Sequence, residues 1–345
     1  TLNVPRILNS LDAEMIEIML TKLLEWAEDD SIAAIYIDGT GEKAFCAGGD
    51  VHELRRSSIE NPGGPCTYAE NFFAREYQMN YVLFTYPKPV ICWGHGVVMG
   101  GGMGVMAGCS HRVVSERTRI GMPEITIALF PDVGGSWFLN RTPGAIGRFL
   151  SLTSAHINAA DALYANLGDV FLAHEQRHAV IDALAIADWS DDSGENGKLI
   201  DEILAMPAEA ELPEGIVEPL MGEIDALMAG DDLGAISDRL LAYDGDDAWL
   251  AKARDGFAHG SKLAACWIFR QLNESVDYSL KEVFDTELRL GANIMRHPEF
   301  AEGVRALLVD KDRSPAWAYP DLASVPANVV DSFFTAPADM PVLGL

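Results

Sequence analysis

From Met99 to Gly135 the chain reads MGGGMGVMAGCSHRVVSERTRIGMPEITIALFPDVGG, a glycine run followed by two carboxylates, Glu124 and Asp132, in apolar or glycine-rich company. The apolar run Pro89 to Trp93 stands just before it and passes into GHG. An apolar strand that runs into glycines and then into a helix is the repeating step of a layered α/β architecture. Burying an ionised acid is costly unless something compensates. Acids kept in such surroundings therefore point to acid, base or nucleophilic chemistry.

The same step recurs upstream. Leu11 to Glu28 carries Met15, Ile18, Met19, Leu23 and Trp26 at helical spacing, with Ser10 as the cap. Ile32 to Ile37 is a β-branched run suited to a buried strand, and Phe45 to Asp50 reads as a Gly-rich loop leading into a helix from Val51. After the Pro/Gly loop Asn61 to Pro65 a helix is expected to about Thr85, then a strand over Pro89 to Gly94. The alternation predicts parallel strands in an α/β fold. TLN at the start reads as the end of a strand whose beginning is missing.

Beyond about Asp188 the texture changes, with Asp, Glu, Ala and Gly dominating to about Asp255 and no strand evident. Ser279 and Glu282 form a capping-box pattern, and Pro298 suits a first helical position. Three regions follow: a catalytic core over 1–187, an acidic helical and loop region over 188–260, and a helical C-terminal region over 261–345. The apolar faces with Phe284, Leu288, Ile294, Leu307 and Leu308 either fold back over the chain's own site or pack on another subunit of an oligomer. Self-closure is the expectation, because like charge opposes association.

Charge narrows the partners. With 25 basic and 52 acidic residues the formal charge is −27, which repels nucleic acid and anionic membrane surfaces. No run approaches the roughly 18 apolar residues of a membrane span. Five cysteines, Cys46, Cys66, Cys92, Cys109 and Cys266, lack CxxC spacing and sit mostly among apolar neighbours, as reduced core thiols of a cytosol-like compartment do. His and Cys are not clustered at metal-ligand spacing, so no metal is expected. No charged-then-apolar leader opens the chain.

The glycine run has two functional readings besides a set of tight turns. Gly94, Gly96 and Gly100 make a GxGxxxG variant of a dinucleotide-binding turn, but the acidic residue near the required distance, Glu116, lies in VVSERTR, a turn rather than a strand end. Alternatively, glycines at a helix start let backbone N–H groups reach a carbonyl oxygen on which negative charge develops. AFCAGGD, Ala44 to Asp50, offers a second such loop.

AFCAGGDV, HGVVMGGGMGV and MPEITIALFPDVGG together resemble the crotonase (enoyl-CoA hydratase/isomerase) superfamily, and within it the branch of 3-hydroxyisobutyryl-CoA hydrolases. The resemblance runs from Thr1 to about Ala187 and resumes in EGVRALLVDKDRSPAW. It implies a spiral of ββα units that holds an acyl-CoA thioester carbonyl between the N–H groups of Gly49 and Gly101. Hydratases of the family carry a Glu two residues after the glycine triplet, where this chain has Gly104; only the second acid of their pair, Glu124, is present. Asp132 stands where hydratases have a small residue, and Glu76 matches a substrate-contacting Glu of the hydrolase branch. The implied activity is hydrolysis of a 3-hydroxyacyl-CoA, first of all 3-hydroxyisobutyryl-CoA in valine breakdown, in a bacterial cytoplasm or a mitochondrial matrix. No cofactor beyond the substrate's own coenzyme A is implied.

A thioester needs a nucleophile, donors for the oxyanion and little else, since the thiolate leaves readily. Glu124 either attacks to give a mixed anhydride or deprotonates a water. Asp132 fixes the 3-hydroxyl or positions the water, unless it only caps the helix before VGGSWFL. His52 and His95 read as structural, Trp267 and Phe269 as core, and Arg55, Arg56 and Lys88 as surface charges that coenzyme A phosphates would suit.

Overall fold

A computed structural model describes Thr1 to Leu345. Eight short strands form two four-stranded sheets. The strands are β1 (Ile35–Ile37), β2 (Ala44–Cys46), β3 (Val90–Gly94), β4 (Val97–Met99), β5 (His111–Val114), β6 (Arg119–Gly121), β7 (His156–Ile157) and β8 (Val170–Phe171). One sheet runs β1-β3-β5-β8 and the other β2-β4-β6-β7. From β1 to β6 successive strands pass to alternate sheets, β7 joins the sheet of β6 and β8 returns to the first, and helices follow the strand pairs, which is a spiral of ββα turns.

Pairing is parallel, as expected, with Ile35 opposite Val90, Ile91 opposite His111 and Val113 opposite Val170. All five residues of β3 are buried, the mark of a parallel strand covered on both faces. Leu2 makes a single parallel bridge to Gly39.

The helices expected around Leu11 to Glu28, from Val51, up to about Thr85 and at Ser279 and Pro298 all form, and three details differ. The first helix, Ala13–Ala27, is capped by Asp12, whose side chain accepts from the Met15 N–H at 2.8 Å. Ser10 instead donates its hydroxyl to Ile7 O. The buried stripe is Ile16, Leu20 and Leu23, while Ile18 is exposed. Phe45 and Cys46 belong to β2 rather than to the loop, because β4 offers them a ladder partner. The Ser279/Glu282 capping box forms, and Pro298 opens its helix.

The chain divides into two units that interleave along the sequence. The first comprises Thr1–Gly49, Met79–Ile120 and Ile157–Pro219; the second comprises Asp50–Gln78, Gly121–His156 and Leu220–Leu345. Ile91, Trp93 and Val113 of the strands pack with Leu172, Val180, Ile200 and Leu204 in the core of the first. In the second, Tyr77 lies between Phe73 and Phe284, with ring centroids 5.6 and 6.0 Å away. Phe284, Leu288 and Ile294 are buried within the chain itself, and Leu307 and Leu308 are half-buried. All five cysteines are free thiols, four of them buried. No helix is long and apolar enough to cross a membrane.

Candidate active site

Two glycine loops meet in the first unit. Gly100, at φ +48°, ends β4 and turns the chain into the helix Gly101–Ala107. Gly102 on that helix packs so close to β2 that a Cβ there would lie 2.3 Å from Cys46 O, so no side chain fits without moving β2. The loop after β2 comes back over the same turn: a Cβ built on Gly48 would lie 3.8 Å from the Gly101 nitrogen. The Leu11 N–H donates to Gly48 O at 2.8 Å and sets the loop's path. The Gly101 amide is the first of its helix and has no intrahelical partner. The loops that carry Gly49 and Gly101 therefore come close together.

The acids gather in the second unit. Glu124 opens the 3-10 turn Glu124–Ile127 and is 4% exposed. That turn is pinned from the C-terminal region: Ser261 N–H donates to Ile125 O, Trp267 Nε1 to Leu129 O, and Gly303 sits against the Ile127 backbone. Asp132, also 4% exposed, accepts at Oδ2 from the Tyr77 hydroxyl at 2.7 Å. Glu76 precedes Tyr77 on the helix Thr67–Phe84 and is buried too. One oxygen of Glu76 and one of Glu124 have no hydrogen-bond partner in the protein.

Burial governs the electrostatics. It raises Glu76 and Glu124 well above the usual carboxylate range, and the negative charge of Asp132 raises both further. Burial likewise pushes Asp132 up to about 7, with the Tyr77 hydroxyl holding it down. With Asp132 raising both glutamates, the charge states of the three acids depend on one another. Asp132 itself ionises near neutrality.

The other residues singled out lie elsewhere. Arg55 donates to Ala301 O, Arg56 pairs with Glu53, and Lys88 donates to Trp26 O and Asp29 O. His95 is buried with Nε2 on Gly41 O, and burial lowers its pKa. Asp132 caps no helix: the residue before Gly135–Leu139 is Gly134, and no side chain caps it. Gly134 and Ser136 N–H groups donate instead to Glu287 at 2.8 and 3.0 Å. Tyr77 and Glu287 were not legible as site residues, since nothing in their own neighbourhoods distinguishes them from core and surface helix positions. No group of three or more His, Cys, Asp or Glu is arranged to hold a metal ion.

The model of the enoyl-CoA hydratase/isomerase family matches residues 1–334, spanning both glycine loops and every acid of the cluster. The chain belongs to the enoyl-CoA hydratase/isomerase family. Among members, it is 35% identical over 337 residues to the 3-hydroxyisobutyryl-CoA hydrolase, mitochondrial, of Danio rerio, covering 97% of this chain and 86% of that one. It is 32% identical to small ribosomal subunit protein mS47 of Neurospora crassa, over all of this chain and 70% of that protein. A solved enoyl-CoA hydratase of Rhodobacter sphaeroides superposes with a TM-score of 0.85 at 34% identity, covering 97% of this chain and 93% of that one. The spiral of ββα turns is thus the family fold, and this enoyl-CoA hydratase/isomerase family member has Gly104 within its glycine-run helix.

Proposed function

We propose that this chain hydrolyses the thioester of a 3-hydroxyacyl-CoA, 3-hydroxyisobutyryl-CoA foremost, releasing the hydroxy acid and coenzyme A. The observation that carries the reading is a buried acid, Glu124, with one oxygen unpartnered, in a chain whose glycine-run helix Gly101–Ala107 has Gly104 and no carboxylate. Adding water across a double bond calls for a base for the water and an acid for the carbon. Opening a thioester calls for a nucleophile and an oxyanion hole.

In this reading the Gly49 and Gly101 amides receive the thioester oxygen as it gains charge. Glu124 delivers the nucleophile, either its own carboxylate or a water it deprotonates. The C–S bond breaks and the thiolate takes up the proton that Glu124 drew from the water, or, on the anhydride route, a proton from solvent. On that second route water then opens the mixed anhydride and frees the hydroxy acid and Glu124. Asp132 accepts a hydrogen bond from the substrate's 3-hydroxyl, and Glu76 lines the same acid group. The similarity to a mitochondrial 3-hydroxyisobutyryl-CoA hydrolase supports the choice of acyl group and a role in valine catabolism, in a mitochondrial matrix or a bacterial cytoplasm.

Thiol release across acyl-CoA esters with and without a 3-hydroxyl tests the proposal. The hydroxylated ester should react at least about tenfold faster, the factor that roughly 1.4 kcal/mol of hydrogen bonding supplies. Glu124→Gln should lose about two orders of magnitude or more, the usual cost of removing a general base. Chelation with EDTA should change nothing, because a thiolate leaving group needs no Lewis acid. Hydration of crotonyl-CoA at a rate comparable to thiol release would move the assignment to a hydratase. Absence of thiol release from every ester would leave a non-catalytic acyl-CoA-binding protein.

A further inference from the structure

Glu287 is a fully buried carboxylate that the proposed chemistry does not use. It lies on the helix Leu280–Met295 and reaches the turn that follows Asp132, more than 150 residues away in sequence. Its Oε2 accepts from the Gly134 N–H at 2.8 Å and its Oε1 from the Ser136 N–H at 3.0 Å. Both oxygens are acceptors, and these two bonds favour the charged form of a group that burial pushes up to about 8.

The turn it grips is strained. Asp132 O accepts from the Gly135 N–H at 2.7 Å, and the two residues between stand in the left-handed region, Val133 at φ +54° and Gly134 at φ +84°. Glycine adopts that region freely, but for a β-branched residue it is an outlier that persists only when the surroundings enforce it. Val133 directly follows the acid that receives the Tyr77 hydroxyl. A second, weaker hold comes from Gln271, whose Nε2 donates to Ser136 Oγ at 3.1 Å.

We propose that Glu287 is a positioning residue: by holding the amides of Gly134 and Ser136 it keeps the strained turn in the one shape that aims Asp132 at Tyr77 and at the substrate's 3-hydroxyl. This rests on the functional reading above. The C-terminal region then contributes to selectivity without touching substrate. A merely structural Glu287 would stabilise the fold and slow all esters alike when lost. A positioning Glu287 controls the preference for the hydroxylated ester, because it acts through Asp132.

The test compares kcat/KM for 3-hydroxyisobutyryl-CoA and isobutyryl-CoA in wild type, Glu287→Gln, Asp132→Ala and the double variant, with Tm and circular dichroism to verify folding. In Glu287→Gln an amide NH2 faces one of the backbone N–H groups, so one anchor becomes a repulsion. Its ester ratio should fall to within about threefold of that of Asp132→Ala, and the double variant should fall no further, since two residues acting as one unit are not additive. If the Gln variant does not fold, Glu287→Asp keeps the carboxyl group one methylene shorter, and it too must lower the ratio. A wild-type ratio that survives in the folded variants overturns this proposal alone, whereas an active wild type that does not distinguish the esters overturns it together with the 3-hydroxyl part of the functional reading. A wild type inactive on both esters overturns the functional reading and this proposal with it.

Discussion

At Asp132 burial outweighs the hydrogen bond that opposes it. Burial raises it to about 7 while the Tyr77 hydroxyl, 2.7 Å from Oδ2, favours its charged form. Tyr77→Phe removes that donor and leaves burial unopposed, so the acid should titrate higher. A hydrogen bond to a charged group is worth about 1.5–3 kcal/mol, and one pKa unit is about 1.4 kcal/mol. The acid limb of kcat/KM against pH, which rises as the carboxylates ionise, should therefore move about one to two units to higher pH in the variant. A profile that stays in place removes Tyr77 from the acid group.

At the scale of elements, the glycine loops and the Glu124 turn each depend on a close approach that side-chain volume would forbid. The helix Gly101–Ala107 lies against β2 because Gly102 has no Cβ; adding one puts it 2.3 Å from Cys46 O and 2.7 Å from Cys46 Cβ. Gly102→Ala should push the helix from β2 and separate the Gly49 and Gly101 amides. Removing one oxyanion donor costs about two to three orders of magnitude in kcat, so displacing one should lower kcat for thiol release at least about tenfold, with KM changed less. Unaltered kcat in a folded variant would show that the amides do not converge on the reacting carbonyl. In the second unit, the Glu124 turn is held by Ser261, Trp267 and Gly303, so helices remote in sequence set the direction of an acid announced by its own motif.

For the whole molecule, keeping acids buried opposes stability. Asp132 is raised from 3.8 to about 7 on folding, so between those values the folded chain binds the proton more tightly than the unfolded one. Stability from this group is fully present below about pH 3.8 and is lost as pH rises through about 7. Asp132→Asn removes the titration, so the Tm of the variant relative to wild type should be higher at pH 8 than at pH 5. About 2 °C or more is expected, since about 1 kcal/mol moves the Tm of a domain of 150–250 residues by roughly 2–4 °C. An equal difference at both pH values would contradict the raised pKa. What the sequence by itself determined are the features written in neighbouring residues: the strand, glycine and helix order that yields parallel sheets, the Ser279 and Pro298 helix starts, and the two acids in apolar company. The fold's interleaved units, and the meeting of Asp132 with Tyr77 and of its turn with Glu287, were decided by tertiary structure alone. Periodicity and capping act over one or two helical turns. Contacts between residues 55 and 153 positions apart depend on how whole elements pack, and no local pattern encodes that.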